Sequence, residues 1–119
     1  MTKITNNIFD SIEAALKAEN LRQKAIASNI ANLETPRYRS IDVKFEDMLD
    51  KAMQQADIDG TGDVEAELYQ PSMTEVKENG NDVNLEVEIG KMVENTLRHK
   101  AYVRILNKKY QQMELAAKI

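Results

Sequence analysis

The sequence predicts a mainly α-helical protein in which long N- and C-terminal helices pair as an antiparallel coiled coil, with a small middle region of irregular chain, short helix and β-turns. Three observations predict it. Apolar residues recur at helical spacing near both ends, and both Pro and three of the four Gly fall between residues 36 and 80. Charge divides the chain the same way. Residues 1–40 carry six basic and four acidic groups, residues 41–83 three and twelve, and residues 84–119 seven and four, so basic ends flank an acidic centre. These spans form one structural unit: an N-terminal helix with its exit, an acidic variable middle, and a C-terminal heptad helix.

In the first span Ala14, Ala18, Leu21, Ala25, Ser28 and Asn32 follow steps of four and three, which sets them on one stripe of a helix. Ile12, Leu16, Ile26, Ile30 and Leu33 run beside them. The small residues allow a partner helix to come close. Asp10 and Glu13 have capping-box spacing, with a start one turn earlier, near Thr5 or Asn6, as the alternative. Pro36 disfavours the helical region for Thr35, so the helix is expected to stop near Leu33 or Glu34.

In the middle, Phe45, Met48, Leu49, Ala52 and Ala56 predict a short amphipathic helix, and Val64, Ala66 and Leu68 alternate like an exposed strand. Gly60, Gly62, Pro71 and Asn79-Gly80 mark turns. Asp57, Asp59 and Thr61 begin with the spacing of a calcium loop, but its twelfth position, which needs a bidentate Glu, holds Leu68. An acidic turn is the expectation there.

The last span has the longest unbroken pattern. Leu85, Ile89, Met92, Thr96, His99, Val103, Leu106, Tyr110, Met113 and Ala117 follow steps of four and three. Asn84 is the expected N-cap, Glu86 and Glu88 suit the positive start, and Lys108, Lys109 and Lys118 suit the negative end. Such a helix is about 50 Å long at 1.5 Å per residue. A narrow seam of that length needs another helix, and Thr96 and His99 within it favour register over maximal stability.

Site chemistry is sparse. The chain has no Cys and one His, His99, which falls on the apolar seam without metal-ligand spacing. No nucleophile–base set can be argued, and carboxylates fall in solvated runs. No catalytic, cofactor-binding or metal residues are therefore expected, and the chain is not expected to be an enzyme. Basic groups lack interleaved aromatics, which argues against nucleic acid. No run approaches a membrane span, so no lipid insertion is expected, and residues 1–10 lack the apolar core of a cleaved leader. The six Met are expected to fill core or interface rather than form an adaptable chaperone surface.

The segment Ser28-Asn-Ile-Ala-Asn-Leu-Glu-Thr-Pro-Arg-Tyr-Arg39 stands apart. Asn29 and Asn32 bring amides to a helix about to end, Thr35-Pro36 enforces the exit, and Tyr38 offers a rigid aromatic anchor. Together, Ser28, Asn29, Ile30, Asn32, Thr35, Pro36 and Tyr38 resemble the signature of flagellar rod and hook proteins. Asn79-Gly-Asn-Asp-Val-Asn-Leu-Glu86, followed by a long helix with Glu94-Asn95 and Leu97-Arg98, is similar to the stretch that opens the C-terminal helix of short proximal rod subunits. Arg37 stands where the signature usually has Gly, which argues against a positive-φ turn there.

This resemblance covers roughly residues 9–50 and 78–119. It implies a structural subunit of the bacterial flagellar basal-body rod that assembles through its terminal helices into a tube. It also implies passage through the flagellar type III export apparatus without a cleaved signal, a place in the periplasmic rod, and contacts with other rod subunits and the adaptor at the membrane ring. Axial packing would fall to Ala14, Ala18, Leu21 and Ala25 and to the seam from Leu85 to Met113, with the helices completing their folding on incorporation. The alternative is a cytosolic helical adaptor or export chaperone holding a partner helix in a groove.

Overall fold

The computed structural model describes residues 2–46 and 66–118, with side chains from Ile8 onward in the first helix. Helix α1 spans Thr2–Ala31, strand β1 Asp42–Lys44, strand β2 Glu67–Tyr69 and helix α2 Leu85–Ala117. Two long helices with a small antiparallel strand pair between them match the expected fold class. Met48, Leu49, Ala52, Ala56 and the Asp57 turn lie outside the described residues.

Helix α1 begins earlier than expected. Asp10 and Glu13 lie inside it rather than capping it. No Gly or Pro interrupts residues 2–9, and the Phe9 ring stacks on Tyr110 of α2 at 5.2 Å. Its end agrees with the Pro36 argument to within two or three residues. The Asn32 amide is shared between the carbonyls of Ser28 and Asn29, at 3.0 and 3.2 Å, and Leu33 N–H donates to Ile30, so the last turn tightens and stops. At α2 the Asn84 side chain accepts from the amides of Glu86 and Val87, as an N-cap should.

The helices run antiparallel: Asn81 bonds at the end of α1, Asn95 meets Glu19, and Tyr110 meets Phe9. Ala15, Ala18, Ala25, Val43 and Phe45 form the core, with Ala14, Leu21, Ile41, Ala66 and Tyr102 packed against it. The small residues of α1 are thus the floor on which β1 lies. The pair registers Val43 opposite Leu68 and Asp42 opposite Tyr69, and Lys44 Nζ sits 4.7 Å from the Tyr69 ring centre. Sequence alternation over Val64, Ala66 and Leu68 finds Leu68, but Ala66 precedes the strand and Val64 lies outside the described residues; it does not find β1, whose three residues are too few to make a pattern.

The α2 seam departs from the expected one. Glu88 and Asn95 are buried, and Lys91, Arg98 and Tyr102 half-buried, so a largely polar stripe meets α1 and β1. The expected residues Leu85, Ile89, Met92 and Thr96 are exposed within the chain. Only farther along does that stripe turn inward: His99, Val103 and Leu106 are half-buried and Tyr110 reaches Phe9, while Met113 is exposed. The geometry of a straight helix accounts for the drift, because a seven-residue repeat rotates about 20° per heptad relative to 3.6 residues per turn.

Candidate functional site

The α1 exit is built on Asn29, whose side chain is fully buried. Its amide nitrogen donates to the Ile41 carbonyl at 2.9 Å, and its oxygen accepts from the Ile41 amide at 2.9 Å. One side chain thereby holds the chain entering β1 as a neighbouring strand would. The same oxygen accepts from the Tyr38 hydroxyl at 3.0 Å. Because the phenol proton goes to Asn29, Ser28 Oγ, 3.0 Å from the phenol oxygen, is the donor in that contact. Tyr38 therefore folds back on the helix end instead of projecting as an anchor.

Asn32 acts locally. Its amide donates to the Ser28 carbonyl at 2.8 Å, and its oxygen accepts from the Thr35 hydroxyl at 3.0 Å. Ile30 is half-buried, and Thr35 and Pro36 are exposed. Of the seven motif residues, Ser28, Asn29 and Tyr38 form one cluster, and Asn32 with Thr35 a second.

The chain before α2 closes over this exit. Asn81, fully buried, donates through Nδ2 to the carbonyls of Asn32 and Thr35, both at 2.8 Å. These carbonyls lie just past the end of α1 and already accept the turn bonds of the Thr35 and Tyr38 amides, at 3.1 and 3.4 Å, so Asn81 adds a second bond to each and ties the α1 exit from the far side of the sequence. Its own oxygen accepts from the Val83 amide at 2.7 Å. The Arg37 amide donates to the Asn79 carbonyl and the Asp82 amide to Tyr38, at 2.9 and 3.3 Å. Buried Asp82 accepts from the Ser40 amide at 2.5 Å through Oδ1, while Oδ2 has the Arg39 guanidinium at 3.6 Å. The two quoted stretches are thus the two halves of one clamp.

Arg37 corrects an expectation. Its φ is 64°, so the positive-φ turn is made without Gly. Gly80, at φ 84°, faces it, and a Cβ on Gly80 would lie 3.3 Å from Arg37 Cα. This close backbone approach is what fixes Gly at position 80.

A second polar cluster joins the helices. Glu19, 1% exposed, accepts from Arg22 at 2.5 Å, Arg98 at 2.8 Å and Asn95 at 2.7 Å. Asn95 also donates to the Glu19 carbonyl at 2.7 Å. Arg22 forks onward to both Glu46 oxygens at 2.6 Å. Burial works against the Arg22 charge, but the bonds to Glu46 and the nearby Glu19 outweigh it and raise its pKa. Desolvation likewise opposes ionised Glu46, and the Arg22 bond more than offsets it, holding that pKa below the ordinary value. Among the described residues no group of three or more His, Cys, Asp or Glu could hold a metal.

Of the axial-packing residues, Ala18 and Ala25 are buried and Ala14 and Leu21 half-buried, whereas Leu85, Ile89, Met92 and Thr96 reach neither cluster. Sequence reasoning passed over Glu19 and Arg22, and it quoted Asn81 and Asp82 within the Asn79 to Glu86 stretch without giving either a role. Glu19 and Arg22, three residues apart within an otherwise apolar stripe, carried a legible signal.

The family model described as flagella basal body rod protein matches residues 10–39, the span that ends in the clamp. The chain is 26% identical to the flagellar basal body rod protein FlgB of Bacillus subtilis (strain 168), covering 89% of each chain. It is 26% identical to FlgB of Proteus mirabilis (strain HI4320), over 90% of each. With FlgB of Escherichia coli (strain K12) it shares 27%, over 84% of this chain and 90% of the relative. The relatives' matches run through both halves of the clamp and both helices, and over that span the chain is similar to flagellar basal body rod proteins.

Proposed function

We propose that this chain is a structural subunit of the flagellar basal-body rod, of the proximal kind, and that it assembles through its two terminal helices. The observation that carries the reading is the clamp. The residues that resemble the rod signature are spent on fixing the α1 exit against the α2 entry, which is what a building block of set shape requires, and they form no catalytic constellation. Relatives of nearly the same length named as rod proteins support it.

In this reading the stripe from Leu85 through Ile89, Met92 and Thr96, exposed in the single chain, packs against neighbouring rod subunits. Heterologous contacts that do not close extend into a filament. The other partners are the adaptor at the membrane ring and the flagellar export apparatus, and the location is the periplasmic part of the basal body. A polar α1–α2 seam holds the helices less firmly than an apolar one, so they complete their ordering on incorporation.

The test is hydrogen exchange on the purified chain, dilute and alone, then mixed with the other rod subunits of the same organism. Slowed exchange across residues 85–106 in a sedimenting assembly supports the reading. Full protection of both helices in the dilute chain, with none gained on mixing, would instead favour a cytosolic adaptor.

A further inference from the structure

The face of α2 turned away from α1 has no occupant within the described chain. It runs through Glu86, Gly90, Val93, Leu97, Arg104 and Lys108, at steps that keep one side of a helix. Val93 is 54% and Leu97 63% exposed at its middle. Gly90 has no conformational reason to be Gly: it lies inside a regular helix, and among the described residues nothing comes within 4 Å of the place a Cβ would take. Gly in a helix interior costs stability relative to Ala, and one standing reason to keep it is the close approach of another backbone.

Charge selects which backbone. The first half of this face presents Glu86, with Glu94 at its edge turned to Arg98 at 3.4 Å, and the second presents Lys100, Arg104 and Lys108. A face acidic at one end and basic at the other is complementary to itself when reversed. In a parallel pair in register, like charges would meet instead.

We propose that this outer face of α2 binds the same face of a second copy of the chain, antiparallel, about a two-fold axis near Leu97. Glu86 of each copy then lies over Lys108 of the other, and Gly90 lets the partner helix come close. The contact is isologous and closes on itself, so it gives a soluble dimer rather than a filament. It stands apart from the rod reading: a chain that failed to join a rod would still form this pair.

Because the chain has no Cys, single cysteines report on the geometry. Under mild oxidation Leu97→Cys is expected to link to itself, and Leu115→Cys, exposed near the far end of the helix, is not. Self-linking of both variants means a parallel pair and overturns the proposal, as does linking by neither. Sedimentation of the unaltered chain should give a dimer that weakens with salt. Glu86→Lys should raise its Kd about tenfold, and adding Lys108→Glu should restore it. Gly90→Leu should weaken the dimer while helix content by circular dichroism holds. A chain that stays monomeric at millimolar concentration sinks the idea.

Discussion

The side-chain amide of Asn81 donates to the backbone carbonyl of Asn32 at 2.8 Å, across 49 residues of sequence. With its second bond, to Thr35, this makes the end of α1 depend on the segment that starts α2. Removing the donor takes one of two bonds from each carbonyl, since the Thr35 and Tyr38 amides remain, at a cost of about 1 to 2 kcal/mol for the pair. Asn81→Asp should cost more than Asn81→Ala, because a carboxylate would then face both carbonyl oxygens. Urea denaturation gives the ranking, and hydrogen exchange at Asn32 to Thr35 locates the loss. Equal stability of all three proteins would mean that this tie is ornamental.

The facing pair Arg37 and Gly80 predicts opposite responses to opposite substitutions. A non-Gly residue in the left-handed region costs about 1 kcal/mol or slightly more, and Arg37→Gly removes that cost. The greater freedom of Gly in the unfolded chain returns about 0.5 kcal/mol or more. The melting temperature should therefore rise slightly or stay level. Gly80→Ala should lower it clearly, since φ is 84° and the added Cβ would press on Arg37 Cα at 3.3 Å. A loss of stability on Arg37→Gly would show that the Arg side chain contributes something beyond its backbone conformation.

These two residues also show where a one-dimensional reading ends. Pro36 announced the end of α1, and Asn84 the start of α2, because each acts on its own backbone within a few residues. Asn81 acts on carbonyls brought to it only by the finished fold. Arg37 holds a positive φ because Asn79 accepts its amide, another contact made across the chain. The α2 heptads were legible, but not which side of them would face α1. That choice rests on Asn95 and Arg98 finding Glu19, and polar residues give no hydrophobic signal.

The Glu19 cluster is the next test. Glu19→Ala leaves Arg22 with Glu46 alone and Asn95 with only the backbone carbonyl at position 19, and should destabilise the chain by about 3 kcal/mol, the lower end of what removing one member of a buried ion pair costs. Glu19→Leu combined with Asn95→Leu should recover much of that loss, since Arg22 keeps Glu46 and Arg98 is partly exposed. If the double variant regains stability but its helices slide, cysteine cross-links between α1 and α2 will report several partners where the unaltered chain reports one. That outcome would assign the polar seam to register; a single partner would confine it to stability.

The Arg22–Glu46 pair makes stability depend on pH in one direction only. Glu46 has a lowered folded pKa, so its contribution is present above its unfolded value, near 4.3, and disappears as pH falls through the folded one. Arg22 has a raised pKa, so its share is complete below its unfolded value and changes only far into the alkaline range. Titration from pH 8 to pH 5 should leave this pair's contribution flat, with a decline below about pH 4.5. The Glu46 side chain is 64% exposed, so solvent screening keeps the effect small, under about 1 kcal/mol. Glu46→Gln should flatten the acid limb of the curve by that amount and leave the neutral plateau lower. An unchanged acid limb in that variant would mean the link from α1 to the end of β1 is carried by Val43 and Phe45 packing alone.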